Sequence, residues 1–127
     1  MIAVLLGLAV ACGGPPSAAP APLGLTEAAN GSTVHARVGQ QVELRLGSTY
    51  WSAVSSSSPQ VLQPLTPSSP SPSSPCPPGG GCGTVSSTFR AAAAGTAHLT
   101  ATRNACGEAK PCLPDQRTYL VTVEVSR

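Results

Sequence analysis

Four of the five cysteines in this 127-residue chain form two pairs with equal spacing. Cys76 and Cys82 enclose Pro-Pro-Gly-Gly-Gly, and Cys106 and Cys112 enclose Gly-Glu-Ala-Lys-Pro. Structural zinc sites usually place about two to four residues between paired cysteines, and the Cys-x-x-Cys redox motif is also shorter. The turn-rich intervals therefore favour two structural disulfides. Local pairs are our preferred connectivity, and cross-links between the two loops are the alternative.

The other reactive side chains do not form a catalytic pattern. His35 and His98 fall on the polar side of alternating segments, where a solvated role is expected, and neither stands at metal-ligand spacing from a cysteine. No Gly-x-Ser-x-Gly motif occurs, and the five acidic residues are scattered. We therefore predict a protein that is not an enzyme and that uses no metal or cofactor.

The fifth cysteine, Cys12, ends an uninterrupted apolar run over residues 2–11. That run is too short to span a bilayer, which takes about 20 residues, and suits the apolar core of a signal peptide. Ala9-Val10-Ala11-Cys12 resembles the lipobox of bacterial lipoproteins. The resemblance implies a signal peptide over residues 1–11, a lipidated Cys12, and an extracytoplasmic protein anchored to the bacterial cell membrane. The alternative is an ordinary signal peptide with a free Cys12. Export would permit disulfides.

Composition limits the class of protein. Only 9% of the residues are charged and the formal net charge is +2, without the clustered basic face that nucleic-acid binding needs. Residues 12–24 are rich in proline and alanine and carry no charge, which predicts an extended tether to the membrane. Residues 25–127 are then the folded domain.

Alternation of polar and apolar residues predicts strands along that domain. The segments are residues 33–38, 41–46, 50–54, 61–65, 84–91, 97–103 and 117–126. Residues 38–41, with a glycine, predict a hairpin or a corner between the first two. About seven short strands separated by turns are typical of an all-β, immunoglobulin-like β-sandwich.

Two segments interrupt this pattern. Residues 63–81 are low in complexity and dominated by serine, proline and glycine. They predict a long loop, because proline cannot donate to a strand ladder. Tyr50 and Trp51 stand side by side in a chain with only 3% aromatic residues. We expect Trp51 to begin a strand as a core anchor, and Tyr50 with the Ser48-Thr49 turn to contact a partner.

Several landmarks, in chain order, resemble the chagasin-type inhibitors of papain-like cysteine proteases. Leu44-Arg45-Leu46 leads into Gly47-Ser48-Thr49-Tyr50-Trp51, which shares a threonine, the aromatic and the tryptophan of the family's first loop. A glycine-rich second loop at Gly79-Gly80-Gly81 precedes Phe89, and Gly95-Thr96-Ala97-His98-Leu99 matches the start of the next strand. Arg103 falls at the arginine of the third loop, where Asn104-Ala105-Cys106 follows instead of Pro-Trp.

The resemblance implies an immunoglobulin-like sandwich that inserts three loops from one end into a protease cleft. Implied contact residues are Ser48, Thr49, Tyr50, Trp51, Gly79, Gly80, Gly81 and Arg103. The predicted function is a lipid-anchored extracytoplasmic binding module whose partner is a papain-like cysteine protease or another extracytoplasmic protein. The alternative is a structural or adhesive bacterial immunoglobulin-like domain without inhibitory activity.

Overall fold

The computed structural model describes residues 20–127. The predicted signal peptide, Cys12 and the tether up to residue 19 lie outside the described residues. Within residues 20–127, no helix is long and apolar enough to cross a bilayer.

Short strands dominate the described chain, with two single-turn 3-10 helices at Glu27–Ala29 and Pro114–Gln116. The strands are β1 (Leu23–Leu25), β2 (Thr33–Arg37), β3 (Gln41–Gly47), β4 (Ser55–Ser56), β5 (Leu62–Pro72), β6 (Gly83–Ala91), β7 (Gly95–Thr102), β8 (Ala105–Gly107), β9 (Lys110–Pro111) and β10 (Thr118–Ser126).

Eight of these strands form two four-stranded sheets. One sheet has the order β1-β3-β6-β5 and the other β2-β10-β7-β4, while β8 and β9 form a separate hairpin. β1 runs parallel to β3 and β2 parallel to β10, and the remaining pairs are antiparallel. The predicted immunoglobulin-like β-sandwich is confirmed. Six of the seven predicted strands correspond to β2, β3, β5, β6, β7 and β10, whereas β1 and β4 were not predicted. β1 buries only Leu25, which is too little to give an alternating pattern.

The core lies between the sheets and follows the period of two. β3 buries Val42, Leu44 and Leu46 and exposes the residues between them. β10 does the same with its apolar residues, as the sequence predicts: Tyr119, Val121, Val123 and Val125. Most of the core residues are valine, leucine and alanine, so the core contains few large side chains. Small domains with such cores often depend on disulfides.

Residues 38–41 form a corner rather than a hairpin, because β2 and β3 belong to different sheets. Gly39 has φ +93°, a conformation that glycine adopts without strain. Its N–H donates to the carbonyl oxygen of Ala91 at 2.7 Å, which ties the corner to the end of β6.

The serine- and proline-rich stretch corrects the prediction of a loop over residues 63–81. Residues 62–72 form β5, the edge strand that pairs with β6, and only residues 73–82 are loop. An edge strand needs donors on one side only, so Pro70 and Pro72, which share one orientation, can turn their nitrogens outward. Two irregularities in register, between Pro64 and Thr66 and between Thr66 and Ser69, adjust the rest of the pairing.

The strand predicted over residues 50–54 is wrong. This segment is a loop, and the strand that follows it, β4, has only two residues. Ser48 has φ +96°, and its hydroxyl accepts a hydrogen bond from the Tyr50 N–H at 3.1 Å. A serine side chain that bonds to nearby backbone competes with the strand ladder, so the local turn prevails over the aromatic strand propensity.

Candidate binding surface

Three loops meet at one end of the sandwich, which we call the loop end. Loop 1 is residues 48–54, loop 2 is residues 73–82 and loop 3 is residues 103–117. Register places Gly47 opposite Thr84, Pro72 opposite Gly83, and Thr102 opposite Thr118, so the strands that flank the loops start or stop together. All eight residues implied as partner contacts lie in these three loops.

Loops 1 and 2 are joined through their backbones. The Ser48 N–H donates to the Gly83 carbonyl oxygen at 2.7 Å, and the Thr49 N–H donates to that of Gly81 at 2.9 Å. The Tyr50 ring lies against Gly81, where a Cβ atom would collide with the ring, and Gly81 also has φ +64°. Glycine is therefore needed at position 81 both for its conformation and for the close approach of Tyr50.

Loop 3 reaches the same place. The position that a Cβ atom of Gly79 would occupy is 3.6 Å from Glu108 Cγ and 3.9 Å from the Tyr50 hydroxyl oxygen. Glu108 stands at the tip of the β8–β9 hairpin. The half-buried Tyr50 is thus the residue around which the three loops converge.

Trp51 lies beneath this surface with 7% of its area exposed. Its Nε1–H donates to the Gly47 carbonyl oxygen at 3.0 Å, and its ring meets Tyr119 edge to face at a centroid distance of 6.3 Å. The prediction that Trp51 anchors the core is confirmed, although it does so from a loop and not from a strand.

The half-buried Arg103 stacks on the Trp51 ring. Its guanidinium carbon lies 4.3 Å from the centroid of the indole ring. The Nε–H donates to the Gln116 carbonyl oxygen at 2.9 Å, and the backbone N–H donates to that of Arg117 at 2.9 Å. A cation over an indole contributes about 0.5 to 2 kcal/mol, depending on its desolvation. This stacking fixes the start of loop 3 against loop 1.

Both disulfides lie at the loop end, and both are local. Cys76 pairs with Cys82 in loop 2, with Cα atoms 5.8 Å apart, and Cys106 pairs with Cys112 in loop 3, with Cα atoms 5.0 Å apart. The preferred connectivity is therefore confirmed and the cross-linked alternative is excluded.

Solved structures of known proteins share this architecture. The solution structure of amebosin superimposes with a TM-score of 0.56 at 19% identity, over 83% of this chain and 98% of amebosin. The crystal structure of the cysteine protease inhibitor EhICP2 from Entamoeba histolytica superimposes with a TM-score of 0.57 at 14% identity, over 84% of this chain and 96% of EhICP2. This chain shares the fold of a cysteine protease inhibitor. At these identities the likeness is one of fold, and no family model and no curated protein matches the sequence.

The two histidines lie away from the loop end. His35 is exposed on the outer face of the second sheet, with Nδ1 3.4 Å from Glu124 Oε2. His98 lies on the same face, with Nδ1 3.1 Å from Thr122 Oγ1. Across residues 20–127, no three His, Cys, Asp or Glu side chains are grouped to hold a metal ion.

Sequence reasoning missed the segment that supports the loop end from the N-terminal side. The Glu27 carboxylate accepts a hydrogen bond from the Gly47 N–H, directly before loop 1. The buried Tyr119 hydroxyl donates to the Thr26 carbonyl oxygen at 2.9 Å. Burial and then the negative charge of Glu27 raise the pKa of Tyr119 to about 12. Glu27 stands in no recognisable motif, so only the path of the chain between the sheets reveals its role.

Proposed function

We propose that this protein is a non-enzymatic module whose loop end inhibits papain-like cysteine proteases by binding in the active-site cleft. The observation that carries this proposal is the convergence of three loops around Tyr50, on a sandwich whose fold is shared with a cysteine protease inhibitor. The finer roles of single residues and the lipid anchor belong to the same proposal.

Rigidity of the loop end supports this function. Backbone hydrogen bonds join loop 1 to loop 2, the Arg103–Trp51 contact joins loop 3 to loop 1, and a disulfide closes each of loops 2 and 3. Loops that are ordered before binding lose less conformational entropy in the complex. A surface of this kind suits insertion into a preformed cleft.

The residues of the three loops would contribute to binding in different ways. Tyr50, with Ser48 and Thr49, offers an aromatic anchor flanked by small polar side chains, and tyrosine is enriched among the residues that dominate binding energy. Gly79, Gly80 and Gly81 let the backbone of loop 2 approach a partner closely. Arg103 contributes donors at the rim, and Trp51 supports Arg103 and loop 1 from below.

Attachment to the membrane through a lipid on Cys12 is the second part of the proposal. It is motivated by the lipobox-like residues 9–12, and disulfides are typical of exported proteins. Mass spectrometry of the protein from a bacterial membrane fraction tests it. A diacylglycerol adduct on an N-terminal Cys12 supports the anchor, and a free thiol at that residue contradicts it.

Inhibition is tested with the oxidised chain, carrying Ser in place of Cys12 and lacking residues 1–11. Papain is activated with a thiol reagent, freed of that reagent, and titrated with the protein while hydrolysis of a peptide substrate is followed. We expect inhibition at or below about micromolar concentration, as for specific protein complexes of standard size.

Two variants locate the surface. Y50A removes the residue at the centre of the loop end and should weaken inhibition by at least about tenfold, as for a residue that dominates binding. H35A changes an exposed residue on the outer face of the second sheet and should leave inhibition unchanged. No inhibition by the unaltered protein at micromolar concentration, or an equal effect of both variants, would contradict the proposal.

A further inference from the structure

We propose that the Cys76–Cys82 disulfide is redox-sensitive and holds loop 2 against Tyr50. A dithiol reduces it before it reduces the Cys106–Cys112 disulfide. Opening Cys76–Cys82 releases Gly81 from Tyr50 and Thr49 and weakens binding by the loop end. The effect on binding rests on the proposed function, whereas the release of the loop does not.

The two disulfides differ in access although each links residues six positions apart. Cys76 is exposed and Cys82 is half-buried, whereas Cys106 is half-buried and Cys112 is only 3% exposed. Thiol–disulfide exchange requires an incoming thiolate to reach a sulfur atom, and exposed disulfides are the more easily reduced ones. The difference in access therefore predicts an order of reduction.

Beyond its contacts with loop 1 at Gly81, loop 2 has little besides its disulfide to keep residues 73–79 in place. Every residue from 73 to 79 is exposed, so this part of the loop places no side chain in the core. Its internal hydrogen bonds are few: Gly80 N–H to the Pro77 carbonyl oxygen at 2.9 Å, Ser73 N–H to that of Cys82 at 3.2 Å, and Cys82 N–H to Cys76 Sγ at 3.3 Å. Exposed hydrogen bonds of this kind open locally at small free-energy cost.

Loop 3 is held by hydrogen bonds and a cation–π contact in addition to its disulfide. The Cys112 N–H donates to the Asn104 carbonyl oxygen at 2.9 Å, and Arg117 Nε–H donates to the Cys112 carbonyl oxygen at 3.2 Å. Arg103 is held over Trp51 as well. Loop 3 is therefore the more constrained of the two loops, and the release is confined to loop 2.

The reaction is a two-electron exchange with a dithiol such as dithiothreitol. One thiolate of the dithiol attacks the exposed Cys76 sulfur, the S–S bond to Cys82 breaks, and Cys82 leaves as a thiolate that takes a proton. The second thiolate of the dithiol then attacks the mixed disulfide, which releases Cys76 as a thiol. The dithiol is oxidised to its cyclic disulfide, and Cys76 and Cys82 are reduced.

Release of loop 2 is measured without any partner. The oxidised protein is poised at graded ratios of reduced to oxidised dithiothreitol, the free thiols are alkylated, and mass spectrometry maps which cysteines carry the label. In parallel, amide hydrogen exchange of Thr49, which donates to Gly81, is followed. We expect Cys76 and Cys82 to be labelled first and exchange at Thr49 to quicken by roughly tenfold or more, as for a locally opened segment.

Binding is measured on papain whose active-site thiol has been alkylated to a thioether, so that dithiothreitol does not alter the protease. Opening of Cys76–Cys82 should weaken binding by roughly tenfold, because the loop must then be ordered in the complex. A double variant, C76S with C82S, should bind as weakly as the reduced protein and respond no further to dithiothreitol at the poise that opens only loop 2.

Labelling of Cys106 and Cys112 first or together with the other pair overturns the proposal, as does unchanged exchange at Thr49. Equal affinity before and after the opening of loop 2 overturns its effect on binding. If the oxidised protein does not bind or inhibit papain at all, the proposed function fails, while the labelling and exchange measurements still decide whether loop 2 is released.

Discussion

Gly81 shows how one residue without a side chain shapes the loop end. Its φ of +64° lies in the left-handed region, and the Tyr50 ring fills the space into which a Cβ atom would project. Gly31 has a similar φ of +78° but nothing within 4 Å of its Cβ position. A side chain at position 31 would therefore meet backbone strain alone, whereas a side chain at position 81 would meet backbone strain and also collide with a neighbour.

Replacement of these glycines by alanine should therefore have unequal effects. G31A should lower the free energy of unfolding by about 1 kcal/mol, the usual cost of a left-handed alanine. G81A should cost at least about 1 kcal/mol more, because the Tyr50 ring must also move. Urea unfolding of both variants measures the difference. Equal losses would show that Tyr50 does not need the space above Gly81.

Tyr119 is the second residue with a consequence of its own, because its buried hydroxyl has a pKa raised from 10.0 to about 12. A phenol whose pKa is higher in the folded state than in the unfolded state stabilises the fold fully below the unfolded value. That contribution, about 2 to 3 kcal/mol for a shift of this size, is lost as the pH rises through the folded value.

The free energy of unfolding should accordingly fall between pH 10 and pH 12. Y119F should be less stable at neutral pH by about 1 kcal/mol, since it loses the hydrogen bond to Thr26, and should lose most of this alkaline decrease. Chemical unfolding at a series of pH values measures both effects, with Y50F as the control that keeps the decrease. An undiminished decrease in Y119F would assign the alkaline transition to another group.

At the scale of single elements, β5 depends on one serine that faces inward. Ser68 Oγ accepts a hydrogen bond from the Val54 N–H at 2.8 Å and lies 2.7 Å from the hydroxyl of the buried Ser87. The neighbouring Ser69 is exposed. Ser68 thus joins the edge strand both to β6 and to the end of loop 1.

S68A should lower the free energy of unfolding by about 1 to 3 kcal/mol, because it leaves the Val54 N–H and the Ser87 hydroxyl without their partner. S69A, one residue along the same strand, should change it by less than about 0.5 kcal/mol. Thermal and urea unfolding of the matched pair measure the difference. Similar stability of the two variants would show that β5 is held by its backbone pairing alone.

The strands that could be predicted are those with one buried face and one solvent-exposed face. β3 and β10 alternate strictly, because each contributes every second residue to the core. β5 buries only one of its eleven residues, Leu62, so it shows no alternation of apolar and polar residues. Its serine- and proline-rich composition was then the only signal, and that composition indicates a loop. In loop 1 the error was the reverse, because a strand was predicted where the structure has a loop. Aromatic residues favour strands, but the local turn at Ser48 is stronger here.

For the molecule as a whole, the sequence predicted which residues lie at the loop end better than it predicted the residues that support them. Family-like spacing brought Ser48 to Trp51, the three glycines of loop 2, and Arg103 to one end, where the structure places them. Glu27 and Glu108 support that end through contacts between different segments of the chain, and Gln116 does so by closing the base of loop 3 onto Arg103. Such contacts follow from how the two sheets are joined, which local patterns do not encode.

The chain enters and leaves the sandwich at the end remote from the three loops. Gln40 Nε2–H donates to the Ala21 carbonyl oxygen at 2.8 Å, and the Val38 N–H donates to that of Ser126 at 2.9 Å, so both chain segments meet at the corner between β2 and β3. A bead or a fluorescent label attached directly at residue 20 or at Arg127 would therefore join the domain at the end opposite the three loops, and would leave the loop end unobstructed.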